Sequence, residues 1–172
     1  MYKLSKEPLI SAMEIDKRLE TLAAEIKVAG FDVILSVLTG SYIFTADLSR
    51  RLAESNLEIA FIKASSYGNS TESKGTVQIS GLEKLDINGK RVLLIDDILD
   101  TGNTMKAIVQ ALSEMSPSSL KTCVLLNKES RRIVDYHADF VGFEIEDKFV
   151  VGYGLDYANK YRTLPEIWTL EE

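Results

Sequence analysis

The 172-residue sequence is poor in several residues that build metal or disulfide sites, with one cysteine, one histidine and three prolines. A single cysteine excludes an internal disulfide framework and a cysteine metal cluster. Cys123 lies in the apolar stretch TCVLL, where we expect a buried thiol. No apolar run approaches the roughly 18 residues that cross a membrane, and the first residues show no secretory signal pattern. We therefore expect a cytoplasmic protein without a membrane partner.

Positive charge is also in short supply. Lysine and arginine together number 20 against 26 acidic residues, which gives a formal net charge of −6 at pH 7. A negative chain is not expected to bind nucleic acid through bulk electrostatics. The length suits one domain with one sizeable core. A small polyanionic ligand would have to be held by local groups or by a metal.

What the sequence does contain is an alternation of strand-like and helix-like segments without repeats or linkers. The apolar runs FDVILSVL and RVLLID are typical of strands buried on both faces. Three helices are predicted after Ser11, after the LTGS stretch and from about Asn103, and Ser11 with Glu14 forms a capping-box pattern. The alternation predicts an α/β fold with a mainly parallel sheet flanked by helices on both faces.

Three other segments carry no such alternation. Residues 68–76 are small and polar, which predicts a mobile loop. Asn88 and Gly89 predict a hairpin-like turn. The C-terminal residues from about 146 are aromatic and glycine-containing without clear periodicity, and we expect them to pack over one edge of the sheet.

The stretch RVLLIDDILDTGNTM, residues 91–105, combines an apolar strand with carboxylates and small polar residues. Ligands of open parallel sheets bind beyond the C-terminal strand ends, where Asp96 and Asp97 are expected. The residues Thr101–Thr104 then offer N–H groups and hydroxyls near a helix N-terminus, which suits a phosphate. Carboxylates accept hydrogen bonds from hydroxyls and ligate Mg²⁺. A sugar phosphate meets both demands, whereas the alternative is a pair of solvated loop carboxylates and a plain helix cap.

The same stretch resembles the phosphoribosyl-pyrophosphate binding motif of the type I phosphoribosyltransferases. The stretches LTGSYIFTADL, SSYGNSTESKG and DFVGFEIEDKFVVGYGLDYANKYRTLP resemble the hypoxanthine-guanine branch, and the resemblance covers about residues 8 to 168. It implies a type I phosphoribosyltransferase fold in one domain, 1–172, with a core at about 11–145 and a small hood from about 1–10 and 146–172 over the base site. It also implies a purine salvage enzyme that makes IMP or GMP from phosphoribosyl pyrophosphate, uses Mg²⁺, and forms a homodimer or homotetramer.

The resemblance implies roles for individual residues, grouped here by ligand. The phosphoribosyl group would be held by Asp96, Asp97, Asp100, Thr101, Gly102, Asn103 and Thr104, with Asp100 also exchanging a proton with purine N7. Pyrophosphate would be held by Thr39 and Gly40, in a loop that often contains a cis peptide, by Ser66 and Tyr67 at the start of the mobile loop, and by Arg162. The base would meet Lys128, Phe149 and the Val150 backbone, and Mg²⁺ would meet Asp96, Asp97 and Asp156.

Several of these positions also have a purely structural interpretation. Lys128 could belong to a solvated face, Phe149 and Val150 to the core, Asp156 to a helix cap and Arg162 to a surface ion pair. Two positions depart from the family pattern, because Thr39 stands where several relatives carry a basic residue and Asp96 where Glu is common.

Other functions remain open at this point. A xanthine-preferring enzyme or a pyrimidine phosphoribosyltransferase would use the same sugar-phosphate motif. A non-catalytic protein that senses nucleotides or RNA could share the fold. A receiver-like phosphoacceptor domain also clusters carboxylates at strand ends, but it lacks the phosphate loop that DTGNT predicts here.

Overall fold

Nine strands and three α-helices make up the regular structure of the computed structural model, which describes residues 3–54, 56–67 and 76–171. The strands are β1 (Lys3–Leu4), β2 (Val33–Leu38), β3 (Glu58–Tyr67), β4 (Thr76–Ser80), β5 (Arg91–Leu99), β6 (Ser119–Asn127), β7 (Phe140–Glu144), β8 (Val150–Val151) and β9 (Trp168–Glu171). The helices are α1 (Ala12–Ala29), α2 (Tyr42–Leu52) and α3 (Asn103–Ser113). Residues 68–75 of the loop that the sequence predicts lie outside the described residues, and Thr76 opens β4.

The larger sheet has six strands in the order β4-β3-β2-β5-β6-β7. Strands β3, β2, β5, β6 and β7 are parallel, and β4 is antiparallel to β3 at one edge. Parallel strands need crossover connections, and α2 supplies the one from β2 to β3 and α3 the one from β5 to β6. The mainly parallel sheet predicted from the sequence is therefore confirmed.

Helices cover both faces of this sheet. Successive strand residues point to opposite faces, so Ile34 packs with the buried residues of α1 and α2, whereas Leu35 packs with those of α3. The side chain of Cys123 is buried on the first of these faces, as expected. Within the described residues, no helix combines the length and the apolar character that crossing a membrane requires.

Helix α1 begins and ends where its sequence predicts. The Glu14 backbone N–H donates to Ser11 Oγ at 3.3 Å, and the Ser11 backbone N–H donates to the Glu14 carboxylate at 2.8 Å, which completes the capping box. Gly30 ends the helix with a φ of 70°. Capping satisfies N–H groups that have no partner inside the helix. Ser11 and Glu14 therefore determine where α1 begins.

The turn at Asn88 and Gly89 exists, but it is not part of a hairpin. Gly89 has a φ of 69°, as a tight turn requires. The strand that follows, β5, pairs with β2 and β6 and not with β4. The prediction of a hairpin-like connection was wrong because β5 is drawn into the centre of the parallel sheet, where both of its faces are buried.

The C-terminal residues build a second sheet in the order β1-β9-β8. Its strands are antiparallel, and β1 brings the N-terminal residues to β9. Tyr153, between β8 and β9, is buried in the core cluster of α1 and α2, and its hydroxyl donates to Asp47 of α2 at 2.6 Å. The sequence analysis missed these three strands because two of them have only two residues and none shows a long alternation.

We predict that Leu22→Ala destabilises the protein by about 2–5 kcal/mol, because Leu22 of α1 is fully buried and its truncation leaves a cavity. Val28→Ala on the same helix is the matched control, since Val28 is 91% exposed and its replacement should change stability by less than about 0.5 kcal/mol. Urea denaturation measures both variants. Equal effects would contradict the proposed packing of α1.

Candidate active site

A cavity of about 360 Å³ opens at the C-terminal ends of β2 and β5, where the phosphate site was expected. It is lined by ten of the predicted site residues, which are Thr39, Gly40, Asp96, Asp97, Asp100, Thr101, Gly102, Thr104, Asp156 and Arg162. These residues come from three separate segments of the chain, 39–40, 96–104 and 156–162. Their convergence on one cavity is the main structural support for the predicted site.

The acidic pair lies inside strand β5 rather than after it. Pairing of β5 with β2 stops at Ile95, whereas pairing with β6 continues to Leu99. The prediction that Asp96 and Asp97 lie beyond the end of the strand was therefore wrong, because β5 continues for two residues after Asp97. The reason is that β6 continues to supply hydrogen-bond partners after β2 has ended, and the resulting gap beside β5 forms the floor of the cavity.

Asp96 and Asp97 are held in place by backbone N–H groups. The Asp97 N–H donates to Asp96 Oδ1 at 2.9 Å, and the Ile98 N–H donates to Asp97 Oδ1 at 2.8 Å. Asp96 is only 9% exposed. Burial raises the pKa of Asp96 well above its usual range, and the neighbouring charge of Asp97 raises it further.

Burial also raises the pKa of Asp97, although its hydrogen bonds and the positive charge of Arg162 act in the opposite direction. Two adjacent carboxylates with little water around them are unfavourable when both are ionised. A cation or hydroxyl donors from a ligand would relieve this cost. The pair is thus ready to bind a polyhydroxyl group or a divalent metal.

Residues Asp100 to Thr104 connect β5 to α3 and form the predicted phosphate loop. Gly102 has a φ of 87°, and a Cβ there would lie 2.7 Å from the Val134 side chain, so both backbone and packing require glycine. The N-cap residue of α3 is Gly102, which has no side chain to cap the helix. Its first N–H groups can therefore serve an anion. Asn103 does not line the cavity, and its N–H lies 3.4 Å from Thr101 Oγ1.

The loop from Leu38 to Ser41 forms the opposite wall. The Leu38–Thr39 peptide is cis, as the family resemblance implies. A Cβ on Gly40 would overlap Oδ2 of Asp97. The loop can therefore lie this close to the acidic pair only because residue 40 is glycine. The backbone here is close enough to the carboxylates for one ligand to touch both walls.

Buried hydroxyls beneath this loop were missed by the sequence analysis. Ser41 Oγ donates to the Val37 carbonyl at 2.5 Å, and Ser36 Oγ lies 2.7 Å from Ser41 Oγ and 2.8 Å from Thr45 Oγ1. All three hydroxyl residues are at most 2% exposed. A serine within the apolar run VILSVL was the available signal. These bonds fix the start of α2 relative to β2 and so position Thr39 and Gly40.

Asp156 and Arg162 form an ion pair at the cavity mouth, with 2.8 Å between Oδ1 and Nη2. Arg162 Nη1 also donates to the Gly154 carbonyl at 2.7 Å, and Asp156 Oδ2 accepts from the Asn159 N–H at 2.7 Å. The ion pair named as the structural alternative for Arg162 is therefore present. Asp156 caps a turn and not the short helix named as its alternative, since the described residues 156–163 contain no helix. These interactions are compatible with ligand binding, because both side chains still line the cavity.

The predicted base-binding residues lie outside the lining of this cavity. Lys128 is only 7% exposed, which excludes a solvated face, and its Nζ lies 3.7 Å from Asp147. Phe149 is 54% exposed and meets Tyr157 edge to face at 5.8 Å, so it is not a core residue. Val150 is buried in β8. An exposed aromatic ring offers a surface on which a flat ligand could stack.

Ser66 and Tyr67 end strand β3, and their backbones pair with Val77 and Thr76 of β4. The mobile loop predicted to start here continues into residues 68–75, outside the described residues.

Comparison with known proteins agrees with this geometry. Residues 9–158 match the phosphoribosyl transferase domain family, and the chain belongs to that family. It is 46% identical to the hypoxanthine-guanine phosphoribosyltransferase of Aquifex aeolicus, over 95% of this chain and 94% of that protein. It is 44% identical to the hypoxanthine phosphoribosyltransferase of Escherichia coli, over 96% of this chain and 95% of that protein.

A solved structure is similar as well. The hypoxanthine-guanine phosphoribosyltransferase of Bacillus anthracis, crystallised with a HEPES molecule in its active site, superimposes with a TM-score of 0.88 at 42% identity. The match covers 95% of this chain and 98% of that chain. The type I phosphoribosyltransferase fold expected from the resemblance is therefore confirmed.

We predict that Asp96→Asn stabilises the ligand-free protein at pH 7.5. Because the folded-state pKa of Asp96 is raised, ionisation costs stability at neutral pH, and this cost disappears as the pH falls towards the ordinary aspartate value. Urea denaturation in the presence of a chelator at pH 7.5 and pH 4.5 measures the difference, which should shrink at the lower pH. Asp135→Asn is the control, since the Asp135 side chain is fully exposed. Destabilisation by Asp96→Asn at pH 7.5 would contradict the electrostatic cost.

Proposed function

We propose that this chain is a purine salvage enzyme that transfers the 5-phosphoribosyl group from phosphoribosyl pyrophosphate to hypoxanthine, guanine or both, giving IMP or GMP and pyrophosphate. The observation that carries the proposal is the single cavity in which the acidic pair, the phosphate loop and the Asp156–Arg162 pair meet. The family membership supports the phosphoribosyl transfer, and the relatives named above support the choice of base.

The sugar phosphate fits the two chemically different ends of the cavity. The N–H groups around Thr101 to Thr104 suit the 5′-phosphate, because an uncapped helix N-terminus favours anions. The carboxylates of Asp96 and Asp97 suit the ribose hydroxyls, which donate hydrogen bonds to them. Thr39, Gly40 and Arg162 on the facing wall suit the pyrophosphate.

Mg²⁺ fits the oxygen donors of this cavity. Asp96, Asp97 and Asp156 all line it, and Mg²⁺ is usually held by one or two carboxylates together with substrate phosphates. When bound, the metal would neutralise charge on the pyrophosphate leaving group. Because the pKa of Asp96 is raised by burial and by Asp97, a cation beside the pair would also favour its ionised form.

Base selection follows from the donors that Lys128 offers. An ammonium group only donates, so it suits the 6-oxygen of hypoxanthine or guanine and opposes the 6-amino group of adenine. Lys128 is buried, which makes a donor facing a donor costly. The exposed ring of Phe149 would stack on the purine, and the Val150 backbone would face its Watson–Crick edge.

Catalysis would depend mainly on electrostatics and position. Arg162 would stabilise the developing charge on pyrophosphate, and the acidic pair would orient the ribose. Asp100 lies on the cavity wall at the start of the phosphate loop, where it would take the proton from purine N7 in the forward reaction. The loop from Ser66 and Tyr67 would exclude water.

The domain organisation, the oligomeric state and the cellular location of the enzyme belong to the same proposal. Residues 1–172 would form one domain, in which β1, β8, β9 and the residues between β8 and β9 act as the hood over the base. A cytoplasmic homodimer or homotetramer agrees with the family resemblance. Size-exclusion chromatography with light scattering measures the assembly directly.

We predict turnover with hypoxanthine and guanine in a spectrophotometric assay that contains phosphoribosyl pyrophosphate and Mg²⁺. Adenine should be used at least roughly 10⁴-fold less efficiently, because its amino group leaves Lys128 unpaired. Xanthine is the fourth base, and a rate above that of hypoxanthine would favour the xanthine-preferring alternative. Comparable rates with adenine and hypoxanthine would contradict the role of Lys128, and no turnover with any base would favour a sensing protein.

We predict that Asp100→Asn lowers kcat with hypoxanthine by roughly 10²–10⁴-fold, since the amide keeps the shape and loses the proton acceptor. The KM for phosphoribosyl pyrophosphate should change little. Asp135→Asn, which alters a fully exposed carboxylate, is the control. An Asp100→Asn rate close to that of the unmodified enzyme would show that another group moves the proton.

A further inference from the structure

An arginine that the family resemblance does not include contacts the proposed proton acceptor. Arg131 Nε donates to Asp100 Oδ1 at 3.0 Å, and Arg131 Nη1 lies 3.5 Å from Asp147 Oδ2. Asp147 in turn lies 3.7 Å from the Nζ of Lys128. The four side chains form a continuous ionic chain that joins the proposed base-reading lysine to the proposed catalytic carboxylate.

The local backbone explains why Arg131 can reach both carboxylates. Residues Glu129–Arg131 form one turn of 3₁₀ helix, in which the Arg131 N–H donates to the Lys128 carbonyl at 3.2 Å. Side chains three residues apart eclipse one another in such a helix. Lys128 and Arg131 therefore project on the same side, towards Asp147.

The segment that carries Arg131 is also tied to the phosphate loop. The Lys128 N–H donates to the Leu99 carbonyl at 2.9 Å, and the Ile133 N–H donates to the Thr101 carbonyl at 2.9 Å. These bonds lie on either side of Arg131 and hold its backbone at a fixed distance from Asp100. The contact between Arg131 and Asp100 thus follows from the fold and not from two free surface side chains.

We propose that Arg131 is a positioning residue that acts through Asp100, and this inference rests on the function proposed above. Among the hydrogen bonds of the described residues, only Oδ1 of Asp100 accepts a side-chain donor. Arg131 therefore fixes the rotation of the carboxylate and leaves Oδ2 for the purine N7 proton. A guanidinium is suited to this task because it is planar, always charged and able to contact two carboxylates at once.

The position of Arg131 predicts an effect on rate rather than on folding. Its side chain is 47% exposed and that of Asp100 is 37% exposed, and ion pairs at such sites contribute little to stability. A bound purine would displace water from this region and strengthen the interaction between the two groups. The contribution of Arg131 should consequently appear in kcat.

The test is a kinetic double-mutant cycle that combines Arg131→Met with Asp100→Asn. Arg131→Met alone should lower kcat with hypoxanthine roughly 10- to 100-fold, because misplaced catalytic groups cost rates of this order. The KM for phosphoribosyl pyrophosphate should stay within about twofold of the unmodified value, since a loss confined to the transition state lowers kcat alone. In the Asp100→Asn background the same substitution should change kcat by less than about threefold, because residues that act as a unit are non-additive.

Arg50→Met is the matched control, since Arg50 also pairs with an aspartate, Asp47, and its side chain is 76% exposed. Its rate should equal that of the unmodified enzyme. Thermal unfolding of Arg131→Met should shift by no more than about 3 °C, which separates the kinetic effect from misfolding.

The other possible outcomes distinguish a failure of the role proposed for Arg131 from a failure of the proposed function. Equal rates for Arg131→Met and Arg50→Met, or effects of Arg131→Met and Asp100→Asn that simply multiply, would overturn the role of Arg131 while the proposed function stands. Absence of turnover by the unmodified chain would overturn the proposed function, and the inference with it.

Discussion

The site depends on a buried carboxylate, Asp96, next to a half-buried one, Asp97, at the place where β2 and β5 separate. Asp96 and Asp97 have backbone N–H partners but little water, so their charges are costly in the empty protein. The sheet tolerates this cost because the hydrophobic cores on its two faces are extensive. The walls of the cavity come from different loops of the chain. They leave room for a ligand that could bring a cation and hydroxyl donors to the two carboxylates.

The molecule combines the six-stranded sheet with a less regular cover, which consists of β1, β8, β9 and the residues between β8 and β9. The sheet positions the phosphate loop and the loop at Thr39, while the cover brings Asp156 and Arg162 to the mouth of the same cavity. The segment around Lys128 lies between these parts, since it follows β6 and bonds to the end of β5. Groups that would bind the sugar, the pyrophosphate and the base are thereby held by one hydrogen-bonded framework.

Sequence patterns predicted the parts of this structure that local physics determines. The Ser11 capping box and the apolar strand β2 each depend on their immediate neighbours, and each was found as expected. The extension of β5 to Leu99 depends on β6, and the pairing of β1 with β9 joins the two ends of the chain. Such long-range pairings leave little signal in a short strand. The contact of Arg131 with Asp100 is of the same kind, because only the folded chain brings a surface-like arginine to the phosphate loop.

The hydroxyl of Tyr153 connects the C-terminal residues between β8 and β9 to helix α2. It donates to Asp47 in α2, the helix that begins directly after Thr39 and Gly40, and a Cβ on the neighbouring Gly154 would overlap the Gly40 carbonyl. The residues around Tyr153 and Gly154 are therefore packed against α2 and against the Thr39–Gly40 loop that faces the acidic pair. The two walls are thereby coupled mechanically, because a displacement of the residues around Tyr153 would be transmitted through α2 to the backbone at Gly40.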